Sequence, residues 1–216
     1  VVPSGGLTPL MFAARENDMD SVKSIVAAGA DLNAAAGDLS TALTLSIQNG
    51  NYDVASFLID KGADINQADV LGCDPLFLTF HARNMDASVG IPWINTADVM
   101  PLIKKLLDKG ANVNHRVKAS PPYRKNNASS GSPWLDYNGA TPFLRAALNG
   151  DVEVMKLLLA NGADAGIPTA DGTTPLMALG GVGFAEGFIF HHSDEETMAA
   201  MKLLVDRKST RLNSSH

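Results

Sequence analysis

Five side chains near the end of the chain have the types that bind metal ions or transfer protons: His191, His192, Asp194, Glu195 and Glu196. Imidazole and carboxylate groups are ordinary metal ligands. Adjacent histidines, however, rarely converge on one ion, and acidic residues ahead of an apolar helical pattern suit the positive N-terminus of a helix. The spacing therefore favours a helix start capped by Ser193 or Asp194, and we predict no metal site.

The other candidate chemical motifs are weaker. Four glycines lie close together, at Gly180, Gly181, Gly183 and Gly187, but their spacing matches no phosphate-binding fingerprint. The chain has no serine nucleophile elbow and no HExxH motif. Its one cysteine, Cys73, excludes an internal disulfide and a zinc site built from several thiolates. We therefore predict no catalytic residue and no cofactor.

A repeated unit organises the chain. The triplet that starts at Thr8 recurs at Thr41, Asp74, Thr141 and Thr174, in steps of 33, 33, 67 and 33 residues. A second marker, with the pattern Gly-Ala-Asp or Gly-Ala-Asn, starts at Gly29, Gly62, Gly110 and Gly162. In the first, second and fourth units the glycine follows the triplet's first residue by 21 positions.

Each marker has a structural meaning. Thr before Pro is typical of a helix start, since the hydroxyl caps a backbone N–H and Pro fits the first turn. Glycine after the second apolar segment predicts a helix end with a left-handed residue. Small residues such as Ala13 and Ala14 allow two antiparallel helices to approach closely. One such helix pair cannot bury its apolar face alone, so neighbouring pairs must stack.

The pattern resembles the ankyrin repeat, on the Thr-Pro-Leu triplets, the alanine pairs (Ala13-Ala14 and Ala146-Ala147) and the Gly-Ala-Asp endings. The resemblance implies an all-α repeat solenoid of about five helix-turn-helix repeats with β-hairpin fingers. The expected repeats are 5–37, 38–70, 71–137, 138–170 and 171–205 within an array at 1–205. The layout is similar to that of ankyrin-repeat proteins from environmental bacteria.

Repeats 3 and 5 are enlarged. Repeat 3 gains about 15 residues between its helices and about 19 in the following finger loop, 115–139, and repeat 5 gains about 13 between its helices. Long loops in compact arrays are often functional. We predict that the finger loop binds a partner, because Arg, Tyr and Trp anchor interfaces; its candidates are Arg116, Tyr123, Arg124, Trp134 and Tyr137.

The resemblance further implies a protein–protein interaction module with a concave surface. Positions seven and eight after each triplet's first residue are expected to face it: Arg15, Glu16, Gln48, Asn49, His81, Leu148 and Asn149. Two alternatives remain open. One is an enzyme or metal-binding protein with its site in the inserted segments, around His81, His191 and Asp194. The other is a structural spacer within a longer array.

Composition narrows the class of partner and the setting. The net charge is −6, which argues against nucleic acid, although the finger loop is locally basic. No run of about 18 apolar residues predicts a membrane span. We expect an unidentified protein partner and a soluble monomer of the cytoplasm or periplasm, with the compartment itself unknown. The start, VVPSGG, lacks Met, so the native N-terminus is expected to be missing.

The last eleven residues, DRKSTRLNSSH at 206–216, do not continue the repeat. The period places a glycine at position 208, where the chain has Lys208. Read codon by codon, a common short-read sequencing adapter translates to the same eleven residues. We therefore predict that 206–216 is a non-native tail and that repeat 5 is truncated, which would leave Leu203 and Leu204 at an artificial edge.

Overall fold

The computed structural model describes residues 5–83, 98–119, 136–180 and 194–213, with the backbone alone at 81–83, 194, 196 and 206–213. The described residues form ten helices. They are α1 (Pro9–Arg15), α2 (Met19–Ala27), α3 (Ala42–Gln48), α4 (Tyr52–Asp60), α5 (Pro75–Arg83), α6 (Met100–Asp108), α7 (Pro142–Leu148), α8 (Val152–Ala160), α9 (Pro175–Leu179) and α10 (Asp194–Asn213). The fold is all-α, as the repeat pattern predicts.

The first helix of each repeat begins where the triplets predict. The hydroxyl of Thr8 accepts a hydrogen bond from the backbone N–H of Met11, and Thr41, Thr141 and Thr174 cap α3, α7 and α9 in the same way. In repeat 3, the Asp74 carboxylate accepts from the Phe77 N–H at 2.7 Å. Each cap satisfies a donor that the first turn of a helix leaves without an intrahelical partner.

The second helix of each of the first four repeats ends at the predicted glycine. Gly29, Gly62, Gly110 and Gly162 have φ between 85° and 95°, in the left-handed region that glycine enters without steric cost. The N–H of each glycine bonds a carbonyl of the last helical turn. The chain can therefore leave the helix and enter the finger without exposing unpaired carbonyl groups to the core.

The chain divides into two compact units, 1–112 and 113–216. In the first unit the inner helices α1, α3 and α5 pack in sequence, with α2, α4 and α6 outside them. Phe77, Phe80 and Leu58 are among the side chains that fill this core. On its outer side, Lys105 of α6 donates to the Ser56 hydroxyl at 2.6 Å and pairs with Asp60 of α4 at 2.7 Å.

In the second unit, α7 packs against α8 and α9, and α10 contacts α8 and α9. Phe143, Met155 and Leu158 are fully buried there. Helix α10 continues past position 205 to Asn213 without a break. The backbone therefore carries no boundary at the predicted start of the non-native tail, whose assignment stays a prediction from the sequence.

The fingers, which join each repeat to the next, contain no β-strand within the described ranges. Two backbone hydrogen bonds close a typical turn, for example from the Asp69 N–H to the Cys73 carbonyl and from the Gly72 N–H to the Asp69 carbonyl. A further backbone hydrogen bond links the turn to the preceding finger, for example from the Val70 N–H to the Asp38 carbonyl. Bonds confined to one turn, with a single bond to the preceding finger, are too few to form a ladder, so the fingers are hydrogen-bonded turns.

Asparagine side chains join successive fingers within each unit. In the first unit, Asn33 Oδ1 accepts from the Asp64 N–H at 2.8 Å and Asn66 Oδ1 accepts from the Asn112 N–H at 2.9 Å. In the second unit, Asn114 Oδ1 accepts from the Asp164 N–H at 2.8 Å. These three contacts, which we call the asparagine ladder, give the final Asn of the Gly-Ala-Asp-x-Asn pattern its structural role.

Candidate functional site

The exposed part of the predicted concave surface lies on α1 and α3 in the first unit. Arg15 is partly exposed and Glu16 is exposed at the end of α1. Arg15 Nε pairs with Glu16 Oε1 at 2.8 Å, and its guanidinium lies 4.9 Å from the centroid of the Phe12 ring. Phe12 is itself 46% exposed. The three side chains form one patch that combines an aromatic ring with both signs of charge.

Two of the predicted contact residues hydrogen-bond to their own helices. Asn49 Nδ2 donates to the Leu45 carbonyl at 2.8 Å, and Asn149 Nδ2 donates to the Arg145 carbonyl at 3.0 Å. Each bond satisfies a carbonyl near a helix C-terminus. Asn49 and Gln48 are half-buried at the end of α3 and border the same inner-helix side in the first unit.

The equivalent surface in the second unit is covered. Every residue of α7 is buried, and the predicted contacts Leu148 and Tyr137 are 4% and 7% exposed. Arg145 is also buried, with its guanidinium 5.8 Å from the centroid of the Tyr137 ring. Its Nε has no hydrogen-bond partner among the described residues. These side chains are buried, so a partner has no direct access to them.

Arg116, at the start of the finger loop, is exposed but makes two bonds within the second unit. Its Nε donates to the Gly139 carbonyl at 3.0 Å and its Nη2 donates to the Pro168 carbonyl at 2.9 Å. These bonds hold both ends of the finger loop to the next finger. The structure thus gives Arg116 a structural role at the base of the loop.

Several predicted residues lie outside the described part of the chain: Tyr123, Arg124 and Trp134, the side chain of His81, and both His191 and His192. The proposed metal or catalytic cluster around His81, His191 and Asp194 therefore has no described geometry. Within the described ranges, no group of three His, Cys, Asp or Glu side chains is arranged to hold a metal ion. No described helix is both long and apolar enough to cross a membrane.

One carboxyl group in the first unit has a perturbed environment. Asp69 is buried in a finger turn, where its Oδ1 accepts from the N–H groups of Leu71 at 2.9 Å and Cys73 at 2.8 Å. Burial raises the pKa of Asp69 above its usual value, and the nearby Asp38 charge acts in the same direction. Burial also raises the pKa of the Cys73 thiol well above its usual range. Since each group is fully packed, both are structural.

Three residues of interest were missed by the sequence analysis: Phe12, Leu39 and Arg145. Phe12 and Arg145 both lie four positions after the first residue of their triplet, one helical turn before the predicted contact positions. Leu39 lies two positions before Thr41, where the other repeats have glycine. The repeat pattern shows both the position of Phe12 and Arg145 in their helices and the exchange of glycine for Leu39. It does not show which residues surround these side chains.

These helix pairs, finger turns and ladder contacts define a repeat protein, and the comparisons identify its family. The model "Ankyrin repeats (3 copies)" matches residues 3–69, and "Ankyrin repeats (many copies)" matches residues 127–176. The chain therefore belongs to the ankyrin-repeat family. Ankyrin repeats are protein–protein interaction modules.

Similar proteins carry the same repeat. Inversin of Gallus gallus is 28% identical over 201 residues, which cover 71% of this chain and 18% of inversin. YahD of Escherichia coli (strain K12), whose name contains the words ankyrin repeat protein, is 27% identical over 196 residues, covering 82% of this chain and 90% of YahD. BRCA1-associated RING domain protein 1 of Caenorhabditis elegans is 35% identical over 68 residues, covering 31% of this chain and 10% of that protein. The chain spans less than a fifth of the inversin sequence it matches.

Proposed function

We propose that the chain binds a protein partner through the inner-helix side of the first unit. The surface consists of Phe12, Arg15 and Glu16 on α1 and of Gln48 and Asn49 on α3. The observation that carries this proposal is the contrast between α1, which leaves Phe12 46% exposed, and α7, in which every residue is buried. A partner can reach the first surface directly.

The chemistry of the patch supports recognition of a folded surface or an extended segment. Aromatic and Arg side chains carry much of the binding energy in protein interfaces. Here Arg15 lies over the Phe12 ring and pairs with Glu16, so the three side chains already contact one another in the absence of a partner. A preordered surface loses less conformational entropy on association.

The finger loop remains a second element of this proposal. Its residues Tyr123, Arg124 and Trp134 have the types that anchor interfaces, and they lie beyond the described base formed by Arg116 and Gly139. The proposed activity is binding without catalysis, which the family and the absence of catalytic motifs in the sequence support. The acidic net charge of −6 favours a protein partner over nucleic acid.

Affinity capture followed by titration tests the proposal. The protein carrying both Phe12→Ala and Arg15→Ala is compared with the wild type and with Lys23→Ala, an exposed control on the outer helix α2. A protein captured by the wild type is expected to bind the double variant about tenfold or more weakly, as is typical for lost interface anchors. Equal affinity for all three proteins would contradict the proposed surface, and capture of no protein would favour the spacer alternative.

Deletion of 120–135 tests the loop separately, since it removes the aromatic segment and leaves Arg116 and Gly139 in place. We expect weaker capture of the same protein by this variant. Unchanged affinity would remove the loop from the binding site without affecting the assignment of the α1 and α3 surface.

A further inference from the structure

One turn position in the second repeat differs from the equivalent position in the other four repeats. Two residues before each triplet, four repeats have glycine with φ between 77° and 86°, at Gly6, Gly72, Gly139 and Gly172. The second repeat has Leu39 there, also left-handed at φ 63°. The turn itself is the same, because the N–H of Leu39 bonds the Ala36 carbonyl as that of Gly72 bonds the Asp69 carbonyl, both at 2.9 Å.

Leucine is a costly residue at this position. The left-handed region brings Cβ close to the backbone carbonyl, and branched or bulky residues rarely adopt it. The other left-handed non-glycine residue among those described is Asn17, a type that tolerates the conformation. The turn does not otherwise demand leucine, since a Cβ built at the equivalent Gly172 meets no heavy atom within 4 Å.

Burial gives Leu39 only partial compensation for this strain. Its side chain is 47% exposed at the finger turn, whereas the leucines of the neighbouring helix α3 lie in or near the core. The residue thus combines an unfavourable backbone conformation with an apolar side chain in water. Residues with an unfavourable backbone conformation are concentrated at functional positions, where the strain is retained because the residue contributes to function.

The charge around Leu39 indicates the kind of partner. Residues 1–112 contain seven Lys and Arg against thirteen Asp and Glu, whereas residues 113–205, which precede the predicted non-native tail, contain seven against nine. The first unit therefore carries a net charge of −6 and most of the acidic excess. Asp38 directly precedes Leu39, and Asp31 and Asp64 are exposed on the fingers of the same unit. Complementary charge steers and selects partners.

We propose that Leu39 is an apolar anchor for a basic protein segment, which packs an apolar side chain against Leu39 while its Lys or Arg residues face the acidic fingers of the first unit. This inference rests on the proposed protein-binding function and adds the finger turn and the charge of the partner to it.

The first experiment measures stability and needs no partner. Urea unfolding is compared for the wild type, Leu39→Gly and the mirror variant Gly72→Leu. We expect Leu39→Gly to raise the unfolding midpoint by relieving the left-handed strain, and Gly72→Leu to lower it. A lower midpoint for Leu39→Gly would show that leucine serves folding, and would overturn the proposal.

The second experiment measures recognition with a defined probe, a displayed library of random linear peptides selected on the immobilised wild-type chain. We expect enriched peptides that combine apolar residues with Lys or Arg and bind more weakly as salt increases. Their affinity for Leu39→Gly is expected to fall about tenfold or more, with Lys23→Ala as the unaffected control.

The outcomes separate this inference from the proposed function. Peptides that bind Leu39→Gly as tightly as the wild type, but lose affinity for the Phe12→Ala and Arg15→Ala double variant, would overturn the anchor and leave the proposed function intact. Enrichment of acidic peptides would overturn the assignment of a basic partner. Failure to enrich any peptide would count against the anchor, while the affinity capture described above decides the proposed function independently.

Discussion

At the scale of single residues, Asp69 shows how a finger turn uses a buried carboxyl group. Its Oδ1 accepts two backbone N–H groups, which closes the turn between Asp69 and Cys73. Burial nevertheless opposes its ionisation and raises its pKa. The folded protein therefore holds this proton more tightly than the unfolded chain does, and the contribution to stability is lost as pH rises through the raised pKa.

Asp69→Asn should remove this pH dependence while keeping an Oδ1 acceptor. Relative to the wild type, the variant is expected to gain free energy of unfolding as pH rises above about 4, the usual pKa of an aspartate, since only the wild type must ionise a buried group. Urea unfolding at several pH values measures the difference. Asp64→Asn, at an exposed finger carboxylate, controls for the loss of one charge. A pH-independent difference for Asp69→Asn would contradict the raised pKa.

At the scale of helices, the polar residue that precedes the second helix of repeats 1, 2 and 4 either caps that helix or bonds to the neighbouring repeat. Asp18 and Asp151 cap their own helices by accepting from the Ser21 and Val154 N–H groups. Asn51 holds the same position before α4 but makes no such cap. Its Nδ2 instead donates to the carbonyls of Ala14 at 2.9 Å and Arg15 at 2.8 Å, at the end of α1. It therefore ties the second repeat to the first.

Asn51→Asp is expected to destabilise the protein by about 1–2 kcal/mol, because the carboxylate loses both donated bonds and faces carbonyl groups at the negative end of α1. Asp18→Asn, the matched change in the first repeat, should cost less, since it keeps its cap acceptor. Chemical denaturation of the two variants measures the difference. An equal cost would show that the contact between repeats contributes little.

The sequence predicted the caps and the helix ends because these depend on local backbone chemistry. A Thr before Pro and a glycine after an apolar segment act through hydrogen bonds and φ angles within a few residues. The sequence did not predict the contacts of three other residues, Asn51, Arg145 and Tyr137. Their roles depend on which neighbouring repeat or loop packs against them. The all-α repeat fold was therefore predictable, whereas the exposure of the candidate binding residues required the structure.

At the scale of the whole molecule, the chain contains two compact units with different charge. The first, 1–112, has three stacked helix pairs and a net charge of −6. The second, 113–216, has seven Lys and Arg against nine Asp and Glu ahead of the predicted non-native tail. Repeat proteins derive stability from each repeat and its contacts with immediate neighbours. The first unit contains three helix pairs that pack against one another, so it includes the contacts between neighbouring repeats on which its stability depends.

Residues 1–112 expressed alone should consequently fold into a helical unit. Cys73, fully buried and with its thiol pKa raised, reports on this fold, since alkylation requires exposure of a thiolate. We expect alkylation of the native fragment at least about a hundredfold slower than in urea, together with a cooperative loss of helical circular dichroism. Rapid labelling without denaturant would show that the first unit cannot fold by itself.

The asparagine ladder indicates where the chain tolerates added length. The same side-chain contact spans 31 residues between Asn33 and Asp64, 46 between Asn66 and Asn112, and 50 between Asn114 and Asp164. The N–H to Oδ1 distance stays at 2.8–2.9 Å although the second and third separations are about half as long again as the first. This agrees with a loop-closure cost that rises only with the logarithm of chain length. The helix-helix turn of repeat 3 and the finger that follows it are thus natural grafting points, at which foreign peptides or small domains can be inserted for display while the register of the repeats is retained.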